Sequence, residues 1–155
     1  MIGVAVARRA ARELESGAGI LSTSLAAMLR ALRDGSWSIP QRAVLVVDEA
    51  GMLPTRDLAD LADAVTAAHG KLVLVGDHRQ LPAIGAGGVF RALAWRGLAI
   101  ELHENRRQVT SWARRAVNDL RTGRAERAIA LHRDHHQLVV AEDADSVRRR
   151  LVEDW

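Results

Sequence analysis

The sequence predicts an α/β fold, a parallel sheet flanked by helices, with a mostly helical carboxyl-terminal extension. Short apolar runs rich in β-branched residues (IGVAV, AVLVV, KLVLV) alternate with stretches whose apolar residues recur at helical spacing, the pattern of strands joined by crossover helices. The run AVLVV is apolar throughout, which suits a strand buried on both faces. From about residue 110 the alternation turns predominantly helical.

In chain order, residues 2 to 6 begin a strand and residues 7 to 16 a helix closed by Gly17 and Gly19. Ser22 or Thr23 is placed to cap a second helix over SLAAMLRALRDG, in which Leu25, Met28, Leu29 and Leu32 share one face, and Gly35 stops it. SWSIPQ is a loop ahead of a strand at 43 to 48. After DEAGMLP, Thr55 is placed to cap a helix with the apolar stripe Leu58, Leu61, Ala62 and Val65, and Gly70 ends it. KLVLVG is the next strand, DHRQLPAIGAGG a loop, VFRALAWRG a short helix and LAIELH a further strand. Two helices follow, TSWARRAVNDLRTG and RAERAIALHRD, then a strand QLVVAE and a last helix, DADSVRRRLVEDW, with no stop signal. This organisation divides the chain into residues 1–106 and 107–155.

Composition narrows the function classes. The 155 residues are 48% hydrophobic and 26% charged. No apolar run nears the ~20 residues of a membrane helix, so the expectation is a soluble, cytoplasmic chain with no membrane partner. Cysteine is absent, which excludes disulfides and thiolate metal sites. The net charge is +3 and Lys71 is the only lysine. Arginine suits phosphate contact, and a GC-rich genome also favours it over lysine. His132, His135 and His136 lie close in sequence but lack a carboxylate or fourth ligand at fitting spacing, so they read as a solvated helix end and not as zinc ligands.

In open parallel sheets, ligands bind at the carboxyl ends of the strands. VLVVDEAGM delivers Asp48 and Glu49 to that rim at the end of a buried strand. Magnesium takes oxygen ligands and keeps several waters, so Asp48 alone is enough to hold it, while Glu49 is left to orient or deprotonate an attacking water. The competing structural reading is two acids capping a turn. About thirty residues further on, one strand-helix-strand unit away, LVLVGDHRQLPAI presents Gly76, Asp77, Gln80 and Pro82 after a second strand. The Gln80 amide both donates and accepts, and so is able to contact a terminal phosphate or its attacking water and to change partner when the phosphate leaves.

VLVVDEAGM, LVLVGDHRQLPAIGAGG and ELHENRRQ, in that order and at those distances, resemble motifs II, III and IV of RecD-like superfamily 1 DNA helicases. They are most similar to the helicase half of conjugative relaxases of the MobF type. The segment GVAVARRAARELESGAGILSTSLAAML also resembles the stretch just after the phosphate loop in that family, so the likeness covers nearly the whole chain. The resemblance implies a P-loop NTPase-like, RecA-like motor fold, partial in residues 1–106, with the start of a second motor region in 107–155. It implies 5′-to-3′ translocation on single-stranded DNA driven by ATP and Mg2+. Asp48 and Glu49 become the metal and water-activating pair, Asp77 and Gln80 nucleotide contacts, Gln80 the γ-phosphate sensor, and Arg107 of NRRQ an arginine finger, with Arg106 its competitor. Ser22 and Thr23 match a DNA-contact motif, whereas Arg8 and Arg9 depart from it.

The sequence contains no G-x-x-x-x-G-K-[ST] phosphate loop, since Val65 and Leu72 break the pattern around Lys71. The family places that loop just before residue 1. Two explanations stand: a fragment of a longer helicase or relaxase chain, or an ATPase-dead module that binds DNA or a partner. Either way the polypeptide alone is expected to bind ATP weakly and not to hydrolyse it. A receiver-like phosphoacceptor domain is a third reading, against which stand GDHRQLP and the lack of a lysine at the end of a late strand. Among the tryptophans, Trp37 is expected in an exposed loop, and Trp95 and Trp112 in helix packing.

Overall fold

The apolar runs of the first hundred residues pair in parallel. A computed structural model describes residues 1–155 apart from 81, 82 and 84, and at Asp154 only the main chain. The chain divides into two compact units, Met1–Ile100 and Glu101–Trp155.

In the first unit the sheet runs β2-β1-β3-β4, with β1 at Ile2–Ala5, β2 at Ser22–Ser24, β3 at Val44–Val47 and β4 at Lys71–Leu74. All three pairings are parallel, as crossover helices demand: α1 (Arg8–Ala18) joins β1 to β2, α2 (Leu25–Arg33) precedes β3, and α3 (Thr55–Ala67) joins β3 to β4. β3 lies inside the sheet, where Leu45 and Val47 are fully buried; Leu25, Met28 and Leu29 of α2 and Leu58, Leu61 and Val65 of α3 complete the core. The apolar stripes read from helical spacing form the buried faces, except that Leu32 and Ala62 at their margins are only half-buried. Arg33 of α2 reaches Asp60 (2.6 Å) and Asp57 (3.4 Å) of α3, and hydrogen bonding to Asp60 raises its already high pKa.

Several boundaries differ from the sequence reading for local reasons. Ser22 and Thr23 do not cap α2. Their backbones pair with Gly3 and Val4 in the sheet, and Ser24 is the cap residue. Thr55 is the first helical residue and Pro54 occupies the cap. α1 runs through Gly17 to a left-handed Gly19. At the end of α3 the left-handed residue is His69 and not Gly70. Gly70 is needed for another reason: a Cβ there would lie 2.5 Å from the Ala43 carbonyl oxygen, where the chain enters β4.

The second unit contains α5 (Ser111–Arg121), α6 (Ala125–Asp134) and α7 (Ala144–Asp154). Its buried positions are small: Ala116 and Ala128, with Asp119 held by Arg124 Nε at 2.7 Å. Trp112 is half-buried, stacked on His135 with ring centroids 4.4 Å apart and edge-on to His132 at 5.5 Å, so two of the three clustered histidines serve packing. The strands expected at 98–103 and 137–142 do not form. Leu98, Ile100 and Leu102 are 72, 95 and 86% exposed. They have strand-like alternation but no described neighbouring strand to supply hydrogen bonds.

Candidate functional site

Register places the two motif-bearing strand ends side by side. Val47 is opposite Leu74, and the Val75 amide donates to the Val47 carbonyl at 2.8 Å. The lacing continues past the strands, where the Ala50 amide donates to the Val75 carbonyl at 2.8 Å. The turn carrying Asp48 and Glu49 is thereby tied to the one carrying Asp77 and Gln80. Gly76 eases the approach, and Gly51 lies directly opposite it. A Cβ on Gly76 would stand 3.2 Å from the Ala50 amide nitrogen and 3.3 Å from that of Gly51, and one on Gly51 would stand 3.4 Å from the Asp77 carbonyl oxygen. Sequence reasoning singled out Gly76 as part of a motif but missed Gly51. The available signal was a glycine within two residues of each strand-end turn.

Asp48 is half-buried and fixed at both ends. Its amide donates to the Val4 carbonyl at 2.8 Å and its Oδ1 accepts the Glu49 amide at 2.9 Å. Glu49 is half-buried in the left-handed region at φ 52, opening a 3-10 turn at Ala50–Met52. A non-glycine residue persists there only when its surroundings enforce it, and such residues concentrate at functional sites. Among the described residues the Glu49 carboxylate has no hydrogen-bond or ion-pair partner.

The second turn is built similarly. Asp77 Oδ1 accepts the Arg79 amide at 2.9 Å, and its carbonyl accepts the Gln80 amide at 3.2 Å. The Gln80 side chain is exposed and has no described partner. Pro82, named with this motif, lies outside the described residues. Gly51, Asp77, Gln80, Gly87, Phe90 and Arg91 help to line a cleft of about 330 Å³. Asp48 and Glu49 stand at the same strand ends but are not in its wall. Phe90 and Arg91, from α4 (Val89–Trp95), were not anticipated as lining residues.

The remaining candidates lie elsewhere. Ser22 and Thr23 are half-buried on β2, at the opposite edge of the sheet from β4, with Ser22 Oγ donating to the Ile20 carbonyl at 2.6 Å. Arg107 belongs to the second unit; its amide donates to Asn105 Oδ1 at 3.1 Å and its side chain has no described partner. Arg106 is paired with Glu104 at 2.8 Å.

Residues 1–143 match the AAA domain family. The chain belongs to that family. A parallel sheet flanked by helices is the P-loop NTPase-like architecture expected from the motifs. The whole chain is 37% identical to the conjugal transfer protein TraA of Agrobacterium fabrum, 36% to that of Rhizobium radiobacter and 35% to a probable conjugal transfer protein TraA of Sinorhizobium fredii. The motif resemblance to conjugative proteins is borne out by these relatives. The chain spans 14% of the length of each.

AAA domains use nucleotide and magnesium, and the donor set fits the metal. Among the described residues no three His, Asp or Glu side chains converge as an all-protein cage. Magnesium does not need one, because it is commonly held by one or two carboxylates together with phosphate oxygens and water. Asp48, anchored through its main chain and Oδ1, keeps Oδ2 without a described partner. Among the described residues no helix is long and apolar enough to cross a membrane.

Proposed function

We propose that the chain is part of the motor of an ATP-dependent 5′-to-3′ DNA helicase from a conjugative relaxase-helicase, acting on single-stranded DNA in the cytoplasm. The observation that carries the reading is the lacing of β3 to β4 through Val47, Val75 and Ala50, which supports a shared rim for the acidic pair and the Asp77–Gln80 turn.

Asp48 holds magnesium at that rim. Held there, the ion would supply charge neutralisation for the phosphoryl group being transferred. Glu49 orients and deprotonates the attacking water, its carboxylate having no partner among the described residues. Asp77 shapes the turn that presents Gln80, and Gln80 reads the γ-phosphate. Arg107 is the arginine finger of this reading, at the start of a second motor region over residues 107–155. It is favoured over Arg106 because Glu104 already engages the Arg106 guanidinium, although an exposed pair of this kind is weak. Arginine fingers contribute ~10³ to 10⁵ in rate in phosphoryl-transfer systems. The phosphate-binding loop comes from polypeptide outside these 155 residues, and Ser22 and Thr23 belong to the DNA track.

Two proteins test this: the chain as it stands, and the chain extended at its amino terminus by the segment preceding the matched region in the Agrobacterium fabrum relative. The first is expected to show no magnesium-dependent ATP turnover. The second is expected to hydrolyse ATP and to lose that activity on Glu49→Gln. Turnover by the unextended chain, or turnover by the extended one that survives Glu49→Gln, contradicts the proposal.

A further inference from the structure

α4 leaves its tryptophan in solvent. Trp95 is 68% exposed, contrary to the packing role expected from its place on a helix, and the Arg91 guanidinium carbon lies 4.4 Å from its ring centroid. This cation-π pair, one helical turn apart, holds the indole in one orientation while most of its surface stays open. Between Asp77 and Glu101 the charged side chains are all basic, the arginines being Arg79, Arg91 and Arg96. Arg91 also lines the cleft shared with Asp77 and Gln80, so one side chain joins the exposed ring to the candidate phosphate rim.

An open aromatic face beside arginines is what proteins use to stack bases of single strands while meeting their phosphates. We propose that Trp95 is a stacking platform for a base of single-stranded DNA, with Arg91 and Arg96 contacting the flanking phosphates. This deepens the helicase reading and rests on it for the choice of DNA. It assigns contact to a different element from β2, which carries Ser22 and Thr23.

The test is a titration of a fluorescently labelled oligo-dT of about 16 nucleotides, a length that spans common single-strand site sizes. Anisotropy is followed at low and moderate salt for the full chain and for Trp95→Ala, Trp95→Phe, Trp95→Leu and Arg91→Ala, with circular dichroism as the folding control. Trp95→Ala is expected to weaken binding on the order of tenfold. Trp95→Phe should keep most of the affinity, and Trp95→Leu, which retains apolar bulk but not the ring, should lose it. Arg91→Ala should weaken binding and flatten its salt dependence. Should the alanine variant unfold, the phenylalanine and leucine variants still decide the matter. Equal affinity with and without the ring overturns the proposal, and so does an absence of binding by the unmodified chain at low salt, which would leave a protein contact as the use of Trp95. Failure of the motor reading is registered separately, in the Glu49→Gln hydrolysis measurement, which contains no DNA.

Discussion

Glu49 sits at φ 52, in a region that costs an L-residue with a Cβ roughly 1 kcal/mol or more. The Asp48 carboxylate accepting its amide, and the 3-10 turn that begins at Ala50, hold it there. Glycine removes the penalty at such a position, so Glu49→Gly should stabilise the fold by about 1 kcal/mol, less the extra flexibility glycine gives the unfolded chain. Urea unfolding of Glu49→Gly against Glu49→Ala measures it. A glycine variant no more stable than the alanine variant would show that the left-handed conformation carries no strain. Gly76 and Gly51 illustrate the complementary case. A Cβ on Gly76 would crowd the backbone of the neighbouring turn, whereas one on Gly51 would make an ordinary contact, so the close approach of the strand ends favours glycine chiefly at position 76.

α7 shows how an element depends on its end. Asp143 accepts the Ser146 amide at 2.7 Å, satisfying a donor the helix itself leaves unpaired. The backbone hydrogen bond from Ser146, then the Ser146 side chain, lower the Asp143 carboxyl pKa below its ordinary value. A depressed folded-state pKa means a contribution that is complete above the unfolded value, about 3.9, and is lost as pH falls through the lower folded value. Acidification below about pH 4 should therefore fray the start of α7. Cα chemical shifts of residues 144 to 148 report the fraying, and Asp143→Ala should show it already at neutral pH with little further change on acidification. Persistence of those shifts in the alanine variant at neutral pH would remove Asp143 from the account. The residues expected at 98–103 and 137–142 as strands make the opposite point: Leu98, Ile100 and Leu102 alternate as a strand does, yet a strand is stable only through hydrogen bonds to another.

At the scale of the molecule, most of the buried apolar volume belongs to the first unit. Leu61 is fully buried beside Leu45 and Val47, so Leu61→Ala should cost ~2–5 kcal/mol through lost transfer energy and the cavity left behind. Leu151, 65% exposed on α7, is the control, and its replacement by Ala should stay within about 0.5 kcal/mol. Thermal or urea unfolding of both variants makes the comparison; similar losses would mean that burial does not govern stability here. β4 ends the described sheet, with Val75 45% exposed beyond it, and an open edge of this kind favours association with another strand.

Much of the fold was legible in the residues alone. Leu58, Leu61 and Val65 had to face a sheet because helical spacing puts them on one side of α3, and VLVV had to be internal because it is apolar on both faces of a strand. The apolar runs likewise determined that Asp48 and Glu49 would directly follow one strand and the Asp77–Gln80 turn would come after the next, since the end of a strand is a local property of the run that forms it. Tertiary structure alone decided what depends on a neighbour distant in sequence. Ser22 and Thr23 left a helix cap for the sheet because β1 offered hydrogen bonds, and the Ala50 amide met the Val75 carbonyl because register aligned the two ends. Trp95 stayed in solvent because no described element of the first unit covers that face of α4, a matter its own helical spacing has no means of encoding.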